Sequence, residues 1–315
     1  RLMSLLARRR TTRSGVRPGF SWTSRTPPLA NNWQSICWSP GLSLFAAVSS
    51  AGNIMTSPDG ITWIARTPPD ANRYLTSICW SQELGLFVAV TYNNTGVITS
   101  PNGITWTLQS TPAANDSSWS IAWSKERSLL VVVSLFGSQR VMTSPNGTTW
   151  TLRDTPISAN WYSVCWAKEL GLFVVVGQNA KAMTSPNGIT WTEGNMPSGA
   201  WQSICWAPEL NLLAAVAQTG EIATSPDGIN WTARSFSPPD GNSQFNSICW
   251  SSEQRLFVAV GAGGSTRFVT SPDGITWTAS KPTVVNASLW LSICWSPQLN
   301  SFAAVGNFGA VMTSP

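Results

Sequence analysis

The sequence predicts an all-β protein: a seven-bladed β-propeller with four antiparallel strands per blade, its ring closed by the N-terminal strand. Three observations support this prediction. The motif Ser-Ile-Cys-Trp, or a close variant, recurs seven times at intervals of 40 to 45 residues, a period typical of propellers and solenoids. Each repeat contains four short β-rich segments and no helical window. The segment that the last repeat lacks is found at the N-terminus. The motif tryptophans are Trp38, Trp80, Trp123, Trp166, Trp206, Trp250 and Trp295.

The four segments follow one another in a fixed order. The motif strand leads through a short turn to an apolar run such as Leu86 to Val90, as expected of a strand covered on both faces. A variable loop then leads to Val-Met-Thr-Ser-Pro, and an Asp-Gly or Asn-Gly turn leads to Ile-Thr-Trp-Thr. Such turns tolerate positive φ and are typical of β-hairpins. We expect structural roles for their first residues, Asp59, Asn102, Asn146, Asn187, Asp227 and Asp273.

The two ends of the chain supply parts of one blade. The seventh repeat stops at Thr313-Ser314-Pro315, and residues 19–27 match residues 60–68 position by position. A strand from the N-terminus would complete the last blade, so the ring would close without an unpaired edge. We therefore predict a single propeller domain over residues 19–315, preceded by a flexible, Arg-rich arm over residues 1–18.

The predicted arm carries the positive charge of the chain. It holds six arginines and no acidic residue, whereas the remainder has 13 basic and 14 acidic residues. A run of like charge is usually a solvated tail. An anionic partner for the arm, or a remnant of a targeting segment, is the alternative. The arginines are Arg1, Arg8, Arg9, Arg10, Arg13 and Arg17.

Composition excludes several kinds of chemistry. The chain has no histidine, so histidine-based catalysis and histidine metal sites are not expected, and we predict neither a metal nor another cofactor. The six cysteines share one position of the repeat, which puts them in different blades and too far apart for disulfides. We expect them to be free thiols that act as small apolar side chains. No apolar run approaches the ~20 residues of a membrane helix.

The turn Ser-Pro-Asp-Gly-Ile-Thr-Trp resembles the Asp box of sialidase-type β-propellers, written S-x-D-x-G-x-T-W. It has one residue fewer between Asp and Thr, and three copies carry Asn. The resemblance implies a propeller fold and a structural turn far from any active site. A sialidase needs an arginine cluster and a tyrosine nucleophile paired with a carboxylate. The three tyrosines and the loop arginines Arg73, Arg140 and Arg267 follow no recognisable family spacing. We therefore expect the chain not to be an enzyme.

The whole repeat is similar to uncharacterised repeat proteins of large DNA viruses of algae. This resemblance implies a structural or surface protein of the virus particle, with other virion proteins as its partners. A secreted or a plastid location is the alternative. The plastid is included because some photosystem assembly factors are also seven-bladed rings with Asp-box-like turns.

Residues that differ between repeats are the candidates for a specific site. The loops that join blades, and those between second and third strands, emerge on one face and vary most. Aromatic residues at the starts of the first strands lie beside Asn, Gln and Ser. They suit sugar stacking, although packing at the blade ends explains them equally. We predict a protein-interaction surface, with a lectin-like attachment module that binds glycans as the alternative. The candidate ligand-binding residues are Trp33, Tyr92, Trp119, Arg140, Trp161, Lys181, Trp201, Phe245, Arg267 and Trp290.

Overall fold

The computed structural model describes residues 21–92, 96–112, 117–136, 139–236, 243–263, 267–280 and 289–314. These residues form seven antiparallel sheets of four strands each, and neighbouring sheets pack through their first strands into a ring. The predicted fold class is confirmed. The predicted Arg-rich arm lies outside the described residues. Within the described ranges, no helix is long and apolar enough to cross a membrane.

The strands follow the repeat. The N-terminal strand is β1 (Thr23–Arg25). Blade 1 contains β2 (Trp33–Ser39), β3 (Leu44–Ser49), β4 (Ile54–Ser57) and β5 (Ile64–Arg66). Blade 2 contains β6 (Tyr74–Ser81), β7 (Leu86–Tyr92), β8 (Val97–Ser100) and β9 (Thr107–Gln109). Blade 3 contains β10 (Ser118–Ser124), β11 (Leu129–Ser134), β12 (Val141–Ser144) and β13 (Thr151–Arg153). Blade 4 contains β14 (Trp161–Ala167), β15 (Leu172–Gly177), β16 (Lys181–Ser185) and β17 (Thr192–Asn195).

The last three blades follow the same order. Blade 5 contains β18 (Trp201–Ala207), β19 (Leu212–Ala217), β20 (Ile222–Ser225) and β21 (Thr232–Arg234). Blade 6 contains β22 (Gln244–Ser251), β23 (Leu256–Ala262), β24 (Phe268–Ser271) and β25 (Thr278–Ser280). Blade 7 contains β26 (Trp290–Ser296), β27 (Ser301–Gly306) and β28 (Val311–Ser314), and β1 is its fourth strand. Single-turn 3-10 helices occur at Pro208–Leu210 and Asn307–Gly309.

Strand β1 closes the ring as the sequence predicts. It pairs with β28 in antiparallel register, with Thr23 opposite Thr313. Arg25 Nε donates a 2.8 Å hydrogen bond to Thr313 Oγ1, and equivalent arginine–threonine bonds join the last two strands of blades 1, 3 and 5. Trp22 is buried, with its ring centroid 4.5 Å from that of Phe268 in blade 6. The closing strand is therefore held by side chains as well as by backbone pairing.

The hydrophobic core lies between the blades. Each of the seven interfaces between neighbouring blades has its own cluster of buried side chains among the described residues. The second strands supply most of it because their apolar runs face a neighbour on both sides; in β3, for example, Phe45 to Val48 have no exposed surface. The low charged fraction of the sequence follows from this burial.

The first strands also bond across the interfaces. The hydroxyl of the motif serine accepts a hydrogen bond from the backbone amide one residue further along in the next blade, as between Ile78 N and Ser35 Oγ at 3.2 Å. Equivalent bonds recur around the ring, including the one from Ile36 N to Ser292 Oγ across the closure. The repeated serine thus aligns each blade with its neighbour.

The Asp-Gly and Asn-Gly turns share one hydrogen-bond network. In blade 1, Asp59 Oδ1 accepts bonds from Ile61 N and Thr62 N at 2.8 and 2.7 Å. Ser57 Oγ accepts a bond from the amide of Gly60, whose φ is +73°. Desolvation raises the pKa of Asp59, but the bonds from these amides outweigh it and lower the pKa overall. The other predicted turn residues, Asn102, Asn146, Asn187, Asp227 and Asp273, accept the same pair of amide bonds.

Candidate functional site: a funnel lined by bulge residues

A β-bulge interrupts the first strand of every blade, one residue before the motif serine. In blade 1, Trp33 pairs with Ser49 and Ser35 pairs with Val48, so that Gln34 has no partner on the neighbouring strand. A bulge locally re-aims the side chain of the extra residue. The same register shift leaves one residue unpaired in each blade, namely Gln34, Thr76, Trp119, Tyr162, Gln202, Asn246 and Leu291.

All seven bulge residues line one cavity of about 540 Å³, which we call the funnel. It opens on the blade-joining face, defined as the face that carries the loops between blades. Residues of the second-to-third strand loops, Ser50, Gln218 and Asn307, complete its rim. No Asp, Glu, Lys or Arg is among the described residues that line it. The described lining of the funnel is therefore polar but uncharged.

One side of the funnel carries an aromatic arc formed by Tyr74, Tyr92, Trp119 and Tyr162; Tyr74, Trp119 and Tyr162 line the cavity, and Tyr92 packs between Tyr74 and Trp119. Successive ring centroids are 5.6, 5.9 and 5.9 Å apart, in edge-to-face arrangement. All four residues are half-buried, and the arc contains every tyrosine of the chain. Burial raises the pKa of Tyr74, with a contribution from Tyr92, and burial alone raises the pKa of Tyr162. Their phenols therefore stay protonated over the physiological pH range.

The remaining blades present amides. Asn246 Nδ2 donates to Trp290 O at 2.8 Å, and Asn32 Oδ1 accepts a bond from Phe308 N at 3.1 Å. Two glutamines at bulge positions, Gln34 and Gln202, make no side-chain hydrogen bond within the described part of the chain. Their amides are available to a ligand, on the blades that flank the aromatic arc.

Five of the predicted ligand-binding residues do not reach this surface, which corrects the sequence-based assignment. Trp33, Trp161, Trp201, Phe245 and Trp290 are 0 to 4% exposed and belong to the clusters between blades. The reason is the bulge: the residue before it packs into the core, and the bulge residue lines the funnel. Trp119 lies one residue after the position of these five aromatic residues and is itself the bulge residue of blade 3.

The other predicted site residues have different environments. Tyr92 and Trp119 belong to the aromatic arc. Arg140 Nη1 donates to Leu135 O and Asn160 Oδ1 at 3.1 and 2.9 Å, and Lys181 forms a 2.6 Å ion pair with Glu193. Arg267 is half-buried just before β24. None of these three basic residues lines the funnel.

The opposite, turn-bearing face has a second cavity of about 670 Å³, lined by motif tryptophans. Each of these indoles donates a hydrogen bond to a side-chain carboxylate or amide. The acceptor usually belongs to the preceding blade; for example, Trp123 Nε1 donates to Glu83 Oε2 at 2.7 Å. The pattern repeats around the ring. Blade 1 has Gly41 at the glutamate position, and Trp80 uses Gln82 of its own blade instead. Because the bonds are the same in blade after blade, they serve the scaffold.

The six cysteines lie on the first strands and are free thiols, as predicted. Each packs against the hydrophobic cluster of a neighbouring interface. Burial raises the pKa of Cys79 and Cys165 to about 12 and that of the other four well above the ordinary thiol value. No group of three or more metal-ligating side chains occurs among the described residues.

Comparison with known proteins finds similarity of fold. No family model matches the chain, and no curated protein matches it. Virginiamycin B lyase from Staphylococcus aureus is 9% identical, with a TM-score of 0.82 over 94% of this chain and 99% of the lyase. YCF48 bound to D1 peptide is 16% identical, with a TM-score of 0.72 over 93% and 94%. A chain of the mitotic checkpoint complex is 16% identical, with a TM-score of 0.71 over 99% and 96%.

These similarities confirm the seven-bladed propeller and give no support to kinship with sialidase-type or viral proteins. The expectation that the chain is not an enzyme is contradicted, because a lyase is built on a ring of the same size. One related structure is a catalytically inactive histidine-to-alanine variant of that lyase. Since the present chain has no histidine, the histidine of the lyase has no counterpart here.

Proposed function

We propose that this chain is an interaction propeller that binds an extended polypeptide segment of a partner protein in the funnel. The observation that carries the proposal is the divergence of the bulge position. It is occupied by Gln, Thr, Trp, Tyr, Gln, Asn and Leu around the ring, while the serine that follows it is the same in all seven blades. A residue needed only for the scaffold would repeat with the scaffold.

The chemistry of the funnel suits a polypeptide. Aromatic rings supply large contact areas at low conformational cost, and amides and hydroxyls bond to peptide groups. The four arc rings lie on the consecutive blades 2, 3 and 4, and the free amides of Gln34 in blade 1 and Gln202 in blade 5 lie beyond the two ends of the arc. A bound segment can therefore pack on the rings while its backbone bonds to the amides. The proposal is supported by the solved structure of YCF48 bound to D1 peptide, because YCF48 has a similar fold.

The proposal is tested by panning a random peptide display library on the wild-type chain, with counter-selection on the double variant Trp119→Gln/Tyr162→Gln. Glutamine already occupies this bulge position in blades 1 and 5, so both substitutions keep the scaffold. Selected peptides should bind the double variant at least ~30-fold more weakly, since a central aromatic anchor contributes about 2 kcal/mol or more.

The matched control is Phe136→Ala. Phe136 is 48% exposed in the same blade as Trp119 and does not line the funnel, so this variant should bind like the wild type. The proposal would be refuted if no peptide were selected, or if the selected peptides bound the double variant as well as the wild type.

Glycan binding is the second candidate, supported by the same half-exposed rings beside uncharged amides. Sugars also combine apolar faces with hydroxyls that bond to amides. A glycan array probed with the wild type and with Trp119→Gln distinguishes the two functions. Oligosaccharides that bind only the wild type, in the absence of any arc-dependent peptide, would favour this candidate.

Location in a virus particle, with capsid proteins as partners, is also a proposal. It rests on the resemblance of the repeat unit to those of large algal viruses. Mass spectrometry of purified particles and of host plastid fractions tests it, and recovery of the chain only from plastids would refute it.

A further inference from the structure

The geometry of the aromatic arc points to a narrower ligand class: an uncharged, proline-rich segment in the polyproline II conformation. This inference rests on the proposed function and assigns the ligand of the same funnel. Three independent features of the funnel support it: the length of its aromatic arc, its unused hydrogen-bond donors and the absence of charge among the described residues that line it.

The aromatic arc is long enough to contact more than one turn of an extended prolyl helix. Polyproline II has three residues per turn and rises about 3.1 Å per residue, which gives a repeat of about 9.3 Å. Neighbouring rings of the arc are 5.6 to 5.9 Å apart, so one turn of the ligand spans about one and a half ring intervals, and the three intervals of the arc accommodate nearly two turns. Proline-rich segments dock on aromatic-lined surfaces of this kind.

The unused donors match the same ligand. Trp119 Nε1, the hydroxyls of Tyr74 and Tyr162, and the side-chain amide of Gln202 make no hydrogen bond among the described residues. Polyproline II keeps its carbonyl groups free of internal bonds, and proline has no backbone N–H. Such a segment offers acceptors to these donors and brings few donors that would need partners of their own.

The absence of charge excludes the common alternatives. An acidic or phosphorylated peptide would need an arginine cluster, and a basic peptide would need carboxylates. Neither occurs among the described residues that line the funnel. A neutral, preformed segment also loses little conformational entropy on binding, which suits a shallow site without ion pairs.

Isothermal titration calorimetry tests this inference with two peptides of equal length. One repeats Pro-Pro-Leu, and the other carries alanine in place of every proline. The prolyl peptide should bind the wild type at least ~10-fold more tightly than its alanine counterpart, since the latter must be ordered on binding. Trp119→Gln should weaken binding of the prolyl peptide by ~10-fold or more, while Phe136→Ala leaves it unchanged. Circular dichroism and the unfolding temperature of each variant show that the fold is retained.

The possible failures separate the two proposals. If both peptides bind equally, or if library-selected peptides bind through the arc while the prolyl peptide does not, the prolyl inference is overturned and the proposed function stands. If no peptide from either source binds in a manner that depends on Trp119, both are overturned.

Discussion

Closure of the ring by β1 predicts a specific response to Trp22→Ala. Trp22 is 2% exposed and packs on Phe268 and Phe302 at 4.5 and 6.4 Å. A tryptophan buries roughly 200 Å², which at ~25 cal/mol per Å² corresponds to about 5 kcal/mol, and Trp→Ala substitutions in cores cost about 3–5 kcal/mol. Strand β1 has only three residue pairs with β28, and no turn connects the two strands. We therefore expect β1 to detach while the rest of the ring stays folded.

Hydrogen exchange followed by mass spectrometry measures this detachment. A loss of at least ~3 kcal/mol should speed exchange at the β28 amides that face β1 by about a hundredfold, with little change in blades 2 to 5. The matched control is Trp63→Ala, because Trp63 occupies the equivalent position in blade 1 and is 6% exposed. In that blade β5 continues from β4 through a turn, so selective exchange in β4 is not expected. Wild-type exchange rates in β28 of Trp22→Ala, or equal local patterns in the two variants, would refute this account of closure.

Three further predictions concern the scaffold. Trp161→Phe should retain about 1 kcal/mol more unfolding free energy than Trp201→Phe, as measured by urea titration. The reason is that Trp201 Nε1 donates a hydrogen bond to Pro197 O at 2.9 Å, whereas Trp161 Nε1 is buried without a partner among the described residues. Equal losses of unfolding free energy in the two variants would contradict this. Desolvation raises the pKa of Asp59, Asp227 and Asp273, but amide hydrogen bonds lower it overall, to about 2 for Asp227. This stabilisation is present above the aspartate pKa of the unfolded chain, about 3.9, and is lost as the pH falls through the lower pKa of the folded protein. The triple Asp→Asn variant should therefore lose less stability than the wild type between about pH 4 and 2, and parallel pH profiles would refute the assignment. The six cysteines, whose pKa values are raised by burial, should react with a thiol reagent at pH 8 only after unfolding, and rapid modification of the native protein would show that the thiols are accessible.

A left-handed backbone at an exposed aromatic residue gives one more test. Phe308 has a φ of +55° and is 79% exposed on the blade-joining face, a conformation that costs a non-glycine residue roughly 1–2 kcal/mol. Phe308→Gly should therefore raise the unfolding temperature, which differential scanning calorimetry measures. A lower unfolding temperature would show that the phenyl ring of Phe308 makes stabilising contacts.

The repeat made much of the fold predictable. The number of blades, the order of the strands and the completion of blade 7 by β1 all follow from segments that recur about every 42 residues and from the match of residues 19–27 to residues 60–68. These features depend on short-range patterns, namely turn residues and apolar runs, which recur in every repeat. The bulge itself was not predicted, although the residue before the motif serine varies between blades while the serine does not.

The sequence did not decide the direction in which the side chains of the first strand of each blade point. Trp33 and its equivalents were expected at the variable face because they begin the first strands, but the bulge inserts one extra residue and these side chains pack into the core. The aromatic arc also depended on tertiary structure, because Tyr74 and Tyr162 are 88 positions apart and line the same cavity only through the packing of blades 2, 3 and 4 against one another. Local patterns therefore determined the blades, and the packing of the blades against one another decided which side chains form the funnel.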